Sequence, residues 1–112
     1  MANKLTYQKR RVDANQKLIV ATLEALGASV VSLHDAGAGV PDLLVGYRGI
    51  TCLVEVKNPD TRGKLNERQE VWHAAWLGAP IAIIYTPDQA RDYLEALRKE
   101  TPCAMLYTCA NH

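Results

Sequence analysis

The stretch PDLLVGYRGITCLVEVK, residues 41–57, decides the fold. Two β-rich runs, residues 41–47 and 50–58, flank Arg48-Gly49, a two-residue turn in which glycine can supply a positive φ. With that turn, Tyr47 pairs with Ile50, and counting outward puts Asp42 opposite Glu55. Directly opposed side chains have Cβ atoms about 4.5–5.5 Å apart, and like charges there repel. A divalent cation is the simplest compensation, because hard cations take carboxylate oxygens. Residues two apart on a strand share a face, so Glu55 and Lys57 point one way with Thr51 and Leu53. Cys52, Val54 and Val56 point the other way. Alternating acidic and apolar residues alone describe any half-exposed strand, and a one-residue slip would turn Asp42 to the opposite face. The weight comes from Asp42, Glu55 and Lys57 falling together on facing strands. An acid pair with an ammonium beside it suits phosphodiester hydrolysis. A cation polarises a phosphoryl oxygen and acidifies a water, and the lysine orients that water or stabilises the developing charge.

The flanking sequence supplies the other elements. Residues 1–11 are polar and basic and read as a loose segment. Residues 13–26 read as a helix, with Asp13 as N-cap and Ile19, Val20, Leu23 and Leu26 at helical spacing. Gly27 stops it, and Gln16 lies on the inward stripe. Residues 28–34 read as a strand, and the AGAG loop covers 36–39. Asn66 opens a second helix through about Leu77, with Val71, Trp72, Ala75 and Trp76 as its apolar side. Residues 80–85 read as a buried strand. A last helix over 88–99 turns Ala90, Tyr93, Leu94 and Leu97 inward, and residues 103–108 (CAMLYT) read as an edge strand. The order α-β-β-β-α-β-α predicts an α/β fold with a mixed sheet flanked by helices. The hairpin takes its centre, and residues 50–85 form a right-handed βαβ crossover.

The 112 residues predict one domain, and 48% apolar with 22% charged residues is enough for a packed core and argues against disorder. A net charge of +1 gives no global vote for nucleic acid, but the basic residues cluster. Lys9, Arg10, Arg11, Lys64 and Arg68 are the candidates for phosphate contact. No apolar run is long enough for a membrane span, and the polar, basic N-terminus argues against a signal peptide. Three cysteines at unhelpful spacing give no zinc or disulfide framework. A cytoplasmic location is expected.

With these residues in view, GVPDLLVGYRGITCLVEVKNPDTRGKLNERQEVWH, residues 39–73, resembles the VRR-NUC branch of the PD-(D/E)xK nucleases. The PD is Pro41-Asp42 and the ExK is Glu55-Val56-Lys57. Gln69, the tryptophan that follows it and the later run PIAIIYTPDQA also fit, so the resemblance spans roughly residues 12–97. It implies a restriction-endonuclease-like αβββαβ core and a nuclease dependent on Mg²⁺ or Mn²⁺. It makes Asp42 and Glu55 metal ligands, with the backbone carbonyl of Val56 as a further one. Lys57 becomes the catalytic lysine and Gln69 an active-site residue. The related Holliday-junction resolvases share the core and act as dimers.

One departure stands out. Many relatives carry a glutamate on the first helix that joins the metal site. Here the nearest candidates are the neutral Asn15 and Gln16, with Asp13 about a turn earlier. Gln69 has a second reading, because Asn66-x-x-Gln69 matches a capping box, and both roles can coexist at a helix N-terminus that favours phosphate. His34 and Asp35 read as plain loop residues, and His73 as structural rather than a ligand. Trp72 and Trp76 read as core or dimer interface, and Arg48 as an exposed tip.

The expected function is a structure-specific DNA endonuclease, a homodimer that nicks or resolves branched DNA, suited to a phage or mobile element. The competing expectation is a non-catalytic nucleic-acid-binding or assembly module that keeps the fold. A nucleotide-using metabolic enzyme is a poor fit, because the 36–39 glycines come with no P-loop lysine and no GxGxxG.

Overall fold

Four strands, three α-helices and a short 3₁₀ turn make up the computed structural model, which describes residues 4–59 and 64–100, with side chains from Ala14 onward. In chain order these are α1 (Lys4–Ala25), β1 (Ser29–Ser32), the 3₁₀ turn (His34–Ala36), β2 (Leu43–Tyr47), β3 (Ile50–Val56), α2 (Glu67–Ala75), β4 (Ala82–Ile84) and α3 (Pro87–Glu100). The sheet order is β1-β2-β3-β4. The first three strands are antiparallel neighbours, and β4 runs parallel to β3. The sheet is therefore mixed, β2 and β3 occupy its centre, and α2 is the helix of a βαβ crossover.

The hairpin has the expected register, with Tyr47 opposite Ile50 and Leu43 opposite Val54. Arg48 and Gly49 both have positive φ, 49° and 84°, as a type I′ turn requires. The pleat then sorts the side chains. Leu43, Val45, Cys52, Val54 and Val56 join Ile19 and Leu23 of α1, Ile84, and Ala90 and Leu94 of α3 in one buried core. Tyr93 and Leu97 pack at its edge. The other face of β3 turns Leu53 and Glu55 toward α2, so α1 and α3 cover one side of the sheet and α2 the other.

Several expectations are corrected. The first helix begins at Lys4, so residues 4–11 are helical rather than loose, and Asp13 lies inside the helix rather than capping it. The polar side chains of this segment oppose no helix, and no glycine or proline interrupts it. Leu26, assigned to the inward stripe, is exposed, because Gly27 turns the chain away with φ 103°. The first strand, expected over residues 28–34, ends at Ser32, after which the chain winds into the 3₁₀ turn. The second helix stops at Ala75 and buries none of its side chains. Arg48 is half-buried, not an exposed tip. The run 103–108, expected as an edge strand, lies outside the described residues. Among the described residues, no helix is long and apolar enough to cross a membrane.

Candidate active site

Asp42 is the residue before β2, one step beyond the Leu43–Val54 pair, and Glu55 lies in β3. Continuing the register sets the two opposite each other. The backbone on both sides of Asp42 is tied down. Its carbonyl accepts the Leu33 amide at 2.8 Å, prolonging the β1–β2 ladder. Its Oδ2 accepts the Val56 amide at 2.8 Å. The side chain thus replaces the backbone partner that β3 loses where β2 begins, and the carboxylate is held against Glu55.

Glu55 is fully buried, and neither carboxylate oxygen has a hydrogen-bond partner. Burial, reinforced by the neighbouring Asp42 carboxylate and only partly offset by Lys57, pushes its pKa up to about 9. A buried, unpaired carboxylate is costly. A hard divalent cation removes that cost, because such ions take one or two carboxylates and fill their remaining positions with water or phosphate oxygens. Asp42 and Glu55 fit such an ion. Among the described residues no three Asp, Glu, His or Cys side chains cluster as a metal cage, so an ion held by this pair would fill its other positions with water or substrate oxygens.

Lys57 follows β3 and shares the face of Glu55. Its amide donates to the Ile84 carbonyl at 3.0 Å, and its ammonium donates to Gln69 Oε1 at 2.6 Å. The same Gln69 oxygen accepts the Asn66 amide at 3.0 Å, while Asn66 Oδ1 accepts the Gln69 amide at 2.9 Å. The capping box is complete, and the oxygen that closes it also accepts the Lys57 ammonium.

Two residues matter more than sequence reasoning allowed. His73, expected to be structural rather than a ligand, brings its Nε2 to 3.6 Å from Glu55 Oε1. It sits four residues after Gln69, and that i,i+4 spacing was the available signal. Burial, with the Lys57 charge nearby, pushes the pKa of its imidazole down. Asn15 donates from Nδ2 to the carbonyls of Lys57 at 3.1 Å and Tyr85 at 3.0 Å. It therefore pins the ends of β3 and β4 to α1 instead of offering a ligand. Gln16 lines a groove with Lys17, Ser32 and His34 on the β1 side. The side chains of Asp13, Lys9, Arg10 and Arg11 lie outside the described ones.

A cleft of about 240 Å³ opens beside Asp42, lined by the 37–41 loop, His34, Asn66, Arg68 and Gln69. Gly37, Ala38 and Gly39 all have positive φ. At Gly39 a Cβ would collide with the Arg68 carbonyl, so glycine is what lets the loop lie on the first turn of α2. This places the exposed Arg68 at the cleft, and Lys64 is also exposed. The Trp72 and Trp76 rings stack on each other at 5.1 Å and 17° instead of entering the core.

Comparison with known proteins finds one similar fold. A solved structure described as a VRR_NUC domain matches with a TM-score of 0.62 and 30% identity, over 76% of this chain and 95% of that one. No protein-family profile matches the chain, and neither does any curated protein.

Proposed function

The chain belongs to the VRR-NUC family of nucleases, and from this we propose that it is a single-domain DNA endonuclease that hydrolyses phosphodiester bonds with Mg²⁺ or Mn²⁺. The observation that carries the reading is the Glu55 carboxylate, buried without a hydrogen bond opposite Asp42. That arrangement is stable when a cation shares it.

Asp42 and Glu55 hold the ion, with the carbonyl of Val56 as a further donor. When bound, the ion supplies Lewis-acid activation of the phosphoryl oxygen and a more acidic water. Lys57 stabilises the negative charge that builds on the phosphate, and Gln69 fixes its ammonium in place. Asn15 keeps the Lys57 backbone seated on β4 and α1. Arg68 and Lys64, with Lys9, Arg10 and Arg11 of α1, grip flanking phosphates.

So small a domain has little surface for reading bases, which favours recognition of DNA shape such as branches. A homodimer would present two active sites. The exposed apolar residues of α2 and of the loop after it, with Val71 66% and Leu77 97% exposed, support such a contact. A cytoplasmic setting in a bacterial or phage-infected cell suits this activity. Cleavage of a panel of labelled junction, flap, nicked and plain duplex DNAs in Mg²⁺, Mn²⁺ or EDTA tests the reading. Metal-dependent cutting of branched substrates supports it, and no cutting of any substrate rejects it. Light scattering tests the dimer.

A second reading has one specific support. Asn15 spends its amide on two backbone carbonyls, so α1 offers no carboxylate there, and a non-catalytic DNA-binding module is consistent with that. It predicts DNA binding without cleavage in any metal.

A further inference from the structure

Three of the four buried side-chain polar atoms without a hydrogen bond among the described residues meet at one place: Glu55 Oε1, Glu55 Oε2 and His73 Nε2. The histidine side chain is 13% exposed and the glutamate 1%. They come from different layers, β3 and α2, and both sit on the wall shared with Lys57. The histidine and glutamate atoms lie 3.6 Å apart, just outside hydrogen-bond reach. Neither atom makes a hydrogen bond elsewhere.

We propose that His73 is the positioning residue for the Glu55 carboxylate: Nε2–H donates to Oε1, leaving Oε2 free to face Asp42 and a bound cation. This rests on the metal-dependent reading above. His73 is not itself a ligand. No three-residue cage of Asp, Glu, His or Cys forms among the described residues, and a proton on Nε2 occupies the lone pair a metal would need. Hydrogen-bonding partners of metal-bound carboxylates fix their orientation, and removing one typically weakens metal binding by roughly 10–100-fold. The helix supports the placement. Gln69 and His73 lie one turn apart on α2, so one face of this helix holds both the lysine and the glutamate of β3.

The test is Mn²⁺ affinity, read from the electron paramagnetic resonance signal of the free ion, in wild type, His73→Leu, His73→Gln and Glu55→Gln. His73→Leu removes the donor at similar volume, whereas His73→Gln restores an N–H at similar reach. The expected result is binding weakened roughly 10–100-fold in His73→Leu, with near wild-type affinity in His73→Gln and an unchanged circular dichroism spectrum in both. Wild-type affinity in His73→Leu overturns the inference, as does failure of His73→Gln to rescue. Nitrogen modulation in the spin-echo spectrum of bound Mn²⁺ that vanishes in His73→Leu also overturns it, by making the histidine a direct ligand. If wild type binds no Mn²⁺, or Glu55→Gln binds as tightly as wild type, the metal reading itself fails and takes this inference with it.

Discussion

The Lys57 ammonium donates to Gln69 Oε1 at 2.6 Å, and that same oxygen accepts the amide of Asn66 at 3.0 Å. One side-chain atom therefore closes the first turn of α2 and anchors the lysine of β3. The start of the helix and the position of the ammonium are fixed together. Because the anchor acts only through Lys57, its catalytic value should vanish when Lys57 is gone. Gln69→Ala is expected to lower kcat by roughly 10–100-fold, as loss of an orienting partner does, and to cost no further rate in a Lys57→Ala background. The lowered Tm from the lost cap should persist in both backgrounds. Additive rate losses would assign Gln69 a separate role.

Glu55 makes the metal-free chain sensitive to pH. Its folded pKa of about 9 lies above the ordinary 4.5. Between those values the folded chain retains a proton that the unfolded chain releases, so its contribution to stability is full below the lower value and drains away as pH rises to the upper one. In EDTA, Tm should fall from about pH 5 to 9 more steeply in wild type than in Glu55→Gln. Divalent metal should raise the wild-type Tm most at the alkaline end. Parallel profiles for the two proteins would show that Glu55 is not held protonated.

Two glycines of the same loop should respond differently to alanine. Gly39→Ala meets the left-handed cost of roughly 1–2 kcal/mol and a collision with the Arg68 carbonyl. It should lower both Tm and cleavage, because the first turn of α2 carries Gln69. Gly37→Ala has open space around it, so it should show only the backbone cost and keep its activity. Thermal melts and cleavage rates of both variants check this.

If Arg68 grips a phosphate, DNA affinity must fall with salt. Arg68→Ala should weaken binding to all sequences alike and reduce the slope of log affinity against log salt by about 1. An unchanged slope would remove Arg68 from the interface.

The sequence made the hairpin legible because Arg48-Gly49 allows one tight turn, and the turn sets the register of every residue behind it. Asp42 opposite Glu55 followed from counting alone, as did the division of Val54 and Val56 from Glu55. The i,i+4 spacing of His73 from Gln69 was legible, but its approach to Glu55 was not. Its position depends on how α2 lies across the sheet, and no periodicity in a helix that buries none of its side chains reports that angle. The tryptophan pair left its core alternative open for the same reason, since two apolar rings at i,i+4 can cover each other as readily as they fill a core. The helix-1 departure was visible as a missing carboxylate, but the use of Asn15 was not. Its two acceptors, Lys57 and Tyr85, are distant in sequence and become neighbours only when β4 lies beside β3.

Cleavage by Lys57→Ala and Asp42→Ala beside wild type, in Mg²⁺ or Mn²⁺ and with circular dichroism as the check on folding, probes the carboxylate–lysine centre most directly. Metal-dependent cutting by wild type, lost by roughly 10²–10³ or more in each folded variant, is the outcome that the geometry of Asp42, Glu55 and Lys57 requires. Full activity in either folded variant would contradict it by removing that residue from the chemistry.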